Sequence, residues 1–294
     1  MRVLMTGASG MLGSVIARAL ESDGAVIVRL VRGGTPPSPS HIPWEPGKPL
    51  VLASSFDAVI HLAGETVMGR WTAAKKARIH DSRVLGTRTL AEAVTQLEPK
   101  LRVFVAASAI GFYGDRGDEI LREESPSGTG FLAEVCREWE AAAAPAEKTG
   151  IRVAHLRTGV VLGRQGGALS QMLLPFRLGV GGRLGSGKQW MSWIHIDDIV
   201  GSVRQILAQE TMRGAINLVA PNPVTNAEFT RTLGKALSRP TIFPVPAFAL
   251  RLAFGEMADE ALLASQRVEP ARLVANQYDF RFRNLESALK NLLD

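Results

Sequence analysis

The chain has 294 residues, with 34 Lys+Arg against 28 Asp+Glu for a formal charge of +6, and a single cysteine, Cys136. This length supports one large α/β domain or slightly more. One cysteine excludes an intramolecular disulfide and a multi-cysteine metal site, the lack of an uncharged apolar run of about 18 residues gives no membrane-spanning signal, and the scattered basic residues argue against a nucleic-acid partner.

The first predicted strand covers Met1 to Met5, which leaves no space for a signal peptide and places the protein in a cytoplasm. It breaks into Gly7, Gly10 and Gly13, and a helix is predicted over Met11 to Leu20. Glycine suits each position for a different reason. Gly7 turns the chain out of the strand, Gly10 lets the backbone approach a pyrophosphate, and Gly13 lets the helix pack closely. The helix N-terminus then offers N–H groups to the anion. Thr6, Ser9, Met11 and Leu12 complete this expected cofactor stretch. The next predicted strand is Ala25 to Val31. A carboxylate about twenty residues after such a turn binds a ribose hydroxyl, whereas a cation accommodates a 2′-phosphate. Here Arg32 follows the strand and no acid occurs before Glu45, so the expected cofactor is NADP(H).

Residues 33 to 49, rich in Pro, Gly and Ser, read as a surface loop anchored by Trp44. Phe56 to Gly64 reads as a central parallel strand, with Leu62, Ala63 and Gly64 under the nucleotide and His61 as a core histidine. A long helix over Ile79 to Leu97 carries Ser82, Arg83 and Thr87; Arg70, Lys75, Lys76 and Arg83 are the cations placed to reach the cleft, with Arg83 counted among the cofactor contacts. The strand Leu101 to Ser108 puts the Ser108 hydroxyl at a strand C-terminus, where it could bind a substrate carbonyl or alcohol, and Tyr113 follows in a loop. Phe131 to Glu147 is predicted as a helix that Pro145 kinks or ends, and Ile151 to Arg157 as the next strand.

Beyond Gly163 the strand–helix alternation weakens. The glycines from Gly166 to Gly187 predict a mobile substrate-side loop, with Lys188 and Trp190 able to close on a ligand. A helix over Ile199 to Ala208, capped by Asp197 or Asp198, precedes a last strand, Ala215 to Val219. Thr225 to Leu237, Phe248 to Phe254 and Asp259 to Ser265 read as further helices. The expected architecture is α/β: a doubly wound parallel sheet over residues 1–163, completed by about 192–220, with a smaller, mostly helical C-terminal substrate-side domain from 164–191 and 221–294.

The Thr6 to Gly13 turn, the Asp57 to Gly64 strand, the Ser108 strand with Tyr113-Gly114, and Trp193-Ile194-His195-Ile196-Asp197-Asp198 resemble the extended short-chain dehydrogenase/reductases of Rossmann fold. More narrowly, Arg70-Trp71-Thr72, Phe131 to Cys136, Leu156 to Leu162, Gly185 to Trp190 and Gly255-Glu256-Met257-Ala258 resemble atypical epimerase-family proteins with a small C-terminal domain of unassigned role. The resemblance implies Ser108 from the family's catalytic set. It also implies a Tyr with a Lys four residues later, which this chain lacks: neither Phe131/Val135 nor Leu132/Cys136 supplies the pair, and Arg83 stands where the family commonly has asparagine. A phenyl or isobutyl group transfers no proton. Two functions follow. One is an NADP(H)-dependent oxidoreductase or epimerase-like enzyme acting on a small carbonyl or alcohol substrate at Ser108, with a replacement acid from Tyr113, Lys75, Lys76 or His195. The other is a non-catalytic NADP(H)-binding redox sensor. Relatives also dimerise through helices equivalent to Ile79–Leu97 and Phe131–Glu147, so a homodimer is compatible with the sequence.

Overall fold

The computed structural model describes residues 1–33, 38–164 and 166–294; residues 34 to 37 of the expected surface loop lie outside the described residues. Its centre is a seven-stranded parallel sheet. In chain order the strands are β1 (Arg2–Thr6), β2 (Val26–Val31), β3 (His41–Pro43), β4 (Ala58–His61), β5 (Val103–Ala109), β6 (Arg152–Thr158) and β7 (Gly214–Leu218). Their spatial order is β7-β6-β5-β4-β1-β2-β3, so the winding reverses between β1 and β4. Ligands of open α/β sheets bind beyond the strand C-termini at such a reversal.

Side-chain alternation explains how β1 feeds both layers. Val3 and Met5 join the core beneath α1 (Met11–Ser22), whereas Leu4 joins the opposite core beneath α2 (Ala73–Val94). Helix α1 buries Gly13, Ile16, Ala17 and Leu20, a spacing that forms one apolar stripe. Helix α2 begins six residues before the expected Ile79 because Thr72 caps it, its hydroxyl accepting the Lys75 N–H at 3.2 Å. The predicted Phe131–Glu147 helix is two: α3 (Phe131–Ala141) stops, and α4 (Ala144–Lys148) restarts with Pro145 in its first turn. Proline is tolerated there because first-turn N–H groups have no intrahelical acceptor.

Three expectations need correction. The 33–49 segment is not only a loop, since His41–Pro43 pairs with β2 at the sheet edge; three residues carry too little periodicity to announce a strand. The glycine-rich segment contains α5 (Gly167–Arg177), and Trp190 is fixed rather than poised to close. Its backbone pairs with Thr225 in an antiparallel ladder, its indole N–H donates to Asp118 at 2.8 Å, and Arg267 stacks on its ring. Finally, α6 (Ile196–Ala208) is capped by His195, whose Nδ1 accepts the Asp197 N–H, and not by Asp197 or Asp198. Asp198 instead accepts the backbone N–H groups of Arg281 and Phe282 at 2.8 and 3.0 Å.

The remaining chain builds a separate apolar core. Leu162, Phe176 and Trp193 pack there with Phe229 and Leu233 of α7 (Asn226–Ala236). After α8 (Ala247–Phe254), a short π-type turn (Ala258–Leu262) and α9 (Ala271–Ala275), α10 (Leu285–Leu293) closes this core with Leu285, Leu289 and Leu292. Among the described residues no helix is long and apolar enough to cross a membrane.

Candidate functional site

A cavity of about 630 Å³ opens over the C-terminal ends of β1, β2 and β4. Its floor is the Gly7–Gly10 turn, one side is Leu62, Ala63 and Gly64, and its far end is Arg29, Arg32, His41 and Trp44. Contact explains the two innermost glycines. Gly7 has φ +67°, and a Cβ on it would lie 2.8 Å from the Leu62 carbonyl carbon; a Cβ on Gly13 would lie 2.1 Å from the Gly7 oxygen. Turn, helix and β4 end therefore interlock through backbone. Gly10 caps α1 without a side chain, which leaves first-turn N–H groups for an anion.

Of the expected cofactor residues, Gly7, Ser9, Gly10, Arg32, Leu62, Ala63 and Gly64 meet in this cavity. Thr6 does not reach it, which corrects the expectation of a direct contact. Its fully buried hydroxyl accepts the N–H groups of Leu62 and Ala63, both at 3.1 Å, and bonds His61 Nδ1 at 2.7 Å. Thr6 holds the cavity side in place from beneath. His61 is the core histidine expected, and burial lowers its pKa to about 4, so it stays neutral. Met11, Leu12 and Gly13 belong to α1; the Met11 side chain faces Gly163, Gly166 and Gly167. Arg83 also works from below, donating to the carbonyls of Glu65 at 2.9 Å and Ile79 at 3.1 Å while its guanidinium lies over Trp139 and supports Gly64.

His41 and Arg29 escaped the sequence reading. They stand opposite each other in the β2–β3 pairing, and β3 was invisible. With Arg32 they give the far end three basic side chains. His41 Nδ1 lies 3.0 Å from both the Ser38 and Ser40 hydroxyls, and Glu21 pairs with Arg29 at 2.6 Å.

The second half of the expected site is arranged differently. Ser108, at the end of β5, is 4 % exposed and donates its hydroxyl to Glu140 of α3 at 2.7 Å. Burial pushes the Glu140 carboxyl up, but Arg157 grips it through two hydrogen bonds of 2.8 and 2.9 Å and holds it below the ordinary carboxylate range. Arg157 also donates to the Tyr113 hydroxyl at 3.0 Å, and that hydroxyl donates to Asn217 at 2.7 Å. Tyr113 is fully buried, and burial raises its pKa above the usual 10. The replacement-acid role expected of Tyr113 is therefore corrected: its proton is committed to Asn217 in the interior.

Helix α3 begins with the two side chains that stand where a tyrosine was expected. Phe131 packs against Trp71, and the Lys76 ammonium lies 4.7 Å from the Phe131 ring centroid while pairing with Glu256 at 2.6 Å. Cys136 is buried beside Gly111, with its thiol pushed up to about 12 by burial, so it supplies no charge in place of a lysine. The first two N–H groups of α3 are taken by Glu260, at 2.8 Å from Phe131 and 2.7 Å from Leu132. Lys75 is paired with Glu65 at 2.6 Å, and His195 is buried at the start of α6.

The doubly wound sheet, its reversal point and the glycine turn define a Rossmann-type dinucleotide-binding protein. Residues 3–218 match the NAD dependent epimerase/dehydratase family, and 245–292 match a domain of unknown function, DUF1731. The chain belongs to that epimerase family. It is 37 % identical over 298 residues to the human epimerase family protein SDR39U1, covering 100 % of both chains, and 40 % identical over 292 residues to an epimerase family protein of Mycobacterium tuberculosis, covering 98 % of this chain and 96 % of that one. A crystal structure of human SDR39U1 (isoform 2) with NADPH superposes with a TM-score of 0.91 at 35 % identity, over 100 % of this chain and 99 % of that one. UDP-glucuronic acid 4-epimerase from Bacillus cereus, solved with UDP-glucuronic acid and NAD, shares the fold at a TM-score of 0.76 and 18 % identity, over 100 % of this chain and 98 % of that one.

Proposed function

We propose that the chain binds NADP(H) in the cavity over the glycine turn and transfers hydride between it and a small carbonyl or alcohol substrate. The observation that carries the cofactor reading is the far end of that cavity, where Arg29, Arg32 and His41 gather and where, among the described residues, no carboxylate lines the wall to receive a ribose 2′-hydroxyl, Glu21 pairing with Arg29 from outside the lining. The human relative solved with NADPH supports the same choice. In this reading Gly7, Ser9 and Gly10 cradle the pyrophosphate, Leu62 to Gly64 lie against the nucleotide, and Arg32 meets the 2′-phosphate. The substrate would sit near the start of α3. There Lys76 replaces the absent tyrosine, its ammonium stabilising the charge that develops on the substrate oxygen.

The interior bonding of Ser108 and Tyr113 favours a second reading, a non-catalytic NADP(H) sensor. Calorimetric titration with NADPH and NADH, followed by NADPH absorbance against a panel of small aldehydes and ketones, separates the possibilities. Arg32→Ala is expected to weaken NADPH about tenfold or more while sparing NADH, the loss of one charge-assisted contact. Equal weakening of both refutes the phosphate assignment. Turnover that Lys76→Met removes, with NADPH affinity intact, supports the enzyme; NADPH binding without turnover on any carbonyl supports the sensor.

A further inference from the structure

Two segments of the C-terminal half run side by side. The Val245 N–H donates to the Arg183 carbonyl and the Gly185 N–H to the Val245 carbonyl, both at 2.8 Å, and Arg239 Nε donates to the Arg177 carbonyl at 2.9 Å. The chain that leaves α5 is thereby tied to the stretch that leads through Pro246 into α8. This seam leaves large apolar side chains in water. Leu174 and Leu178 stand one helical turn apart at the end of α5, with Val180 beyond them; Ile242 and Phe243 lie on the adjoining stretch; Phe248 and Leu252 stand one turn apart on α8. Each is between 57 and 75 % exposed. Isolated exposed apolar residues are ordinary on a protein surface, but a run of them along one seam marks an interaction surface.

The charge around the seam is one-sided. No carboxylate occurs between Glu147 and Asp197, or between Glu228 and Glu256. Arg177, Arg183 and Arg239 are exposed, and among the described residues none of them makes an ion pair. Their bonds are to backbone: Arg183 donates to the Ser186 carbonyl at 2.7 Å, and Arg239 to that of Arg177. Asp259, the acid closest in sequence to α8 after Glu256, is spent on Arg251 at 2.9 Å, and Glu256 on Lys76.

We propose that this seam docks on an anionic membrane surface, its apolar side chains entering the interfacial layer while the three arginines meet lipid phosphates. Three features favour that occupant. A second copy of the chain would oppose arginine to arginine across a two-fold axis. Protein partners are gripped mainly by Tyr, Trp and Arg anchors, whereas the apolar residues here are Leu, Ile, Val and Phe. Leu and Phe beside Arg, on a surface element, is the composition that lies in a membrane interface and needs no spanning helix.

The test is co-sedimentation of the full chain with vesicles of phosphatidylcholine alone and of an equimolar mixture with phosphatidylglycerol. Binding to the mixture that weakens as salt is raised is expected, with little to phosphatidylcholine. Phe248→Ser/Leu252→Ser and Arg177→Gln/Arg239→Gln should each weaken it about tenfold or more. None of the four residues lines the nucleotide cavity, so NADPH affinity should be unchanged in both variants, which also shows that they fold. Absence of binding to the mixed vesicles overturns the proposal. So does binding that survives the Phe248/Leu252 variant, which would be adsorption by net charge alone. Retention on poly-glutamate that both variants abolish, without vesicle binding, would give the face to an acidic protein; a dimer in sedimentation velocity that the Phe248/Leu252 variant dissolves would give it to a second copy.

Discussion

The ends of β1 and β5 belong to one sheet, yet they solve opposite problems. At the end of β1, Gly7 and Gly10 carry no side chain and Gly10 leaves the N–H groups of α1 without a cap, so the turn is open to a ligand. At the end of β5, the hydroxyl groups are committed to protein partners: Ser108 donates to Glu140, Glu140 is gripped by Arg157, and Arg157 and Asn217 fix Tyr113. Empty space with unspent hydrogen bonds makes a binding site; a closed circuit of hydrogen bonds makes a core. The presence of a serine and a tyrosine at the right strand end is thus weaker grounds for chemistry than the state of their hydroxyl groups.

Breaking the closed end should have the largest effect. Glu140→Ala leaves the buried Arg157 charge unpaired and should reduce unfolding free energy by about 3–5 kcal/mol, while NADPH binding to the remaining folded protein changes little. The native Glu140 carboxyl is held below its ordinary value of 4.5. Its stabilisation is therefore fully present above that value and is lost as pH falls through the lower folded-state value, so the gap between wild type and variant should narrow in acid. Urea unfolding at neutral and acidic pH measures both effects; a variant as stable as wild type at neutral pH would show that the pair does not hold this end together.

The open end should respond in the reverse sense. Gly13→Ala places a methyl group against the Gly7 carbonyl; overpacking of this kind costs about 1–3 kcal/mol, and the turn must shift to relieve it. Nucleotide affinity should fall out of proportion to stability, which calorimetry and thermal unfolding of one sample can compare. Unchanged affinity would remove the turn from the site. Smallest is Tyr113→Phe, which strands one Asn217 acceptor and should cost about 1 kcal/mol or slightly more without changing the kcat of any NADPH-dependent reaction. A large fall in kcat with stability unchanged would return Tyr113 to an acid role and erase the contrast between the two ends.

Much of the nucleotide half was legible because its signals are local. Three glycines, an apolar strand before them and an amphipathic helix after them occupy contiguous sequence, and Arg32 directly follows its strand. The basic companions of Arg32 at the cavity's far end were not legible, because His41 and Arg29 meet only through a three-residue edge strand. Likewise, nothing local in Ser108 or Tyr113 announces Glu140, Arg157 or Asn217, which lie 32, 44 and 104 residues away in those hydrogen bonds. The cap of α6 failed for a related reason. Two aspartates next to a helix start are the usual N-cap signal, but Asp198 is drawn inward by the backbone of Arg281 and Phe282, and the preceding histidine takes the capping position.

The clasp between Glu260 and α3 bears on how this chain can be cut and recombined. Glu260 supplies both carboxylate oxygens to the opening amides of a helix that belongs to the other half of the molecule. Trimming the chain ahead of residue 245 would bare those amides at the positive end of the helix dipole, so the C-terminal segment is not a detachable accessory. A chimaera carrying this segment from a relative would have to deliver an acceptor to the same place, or the graft would loosen the helix start even where every apolar contact survived.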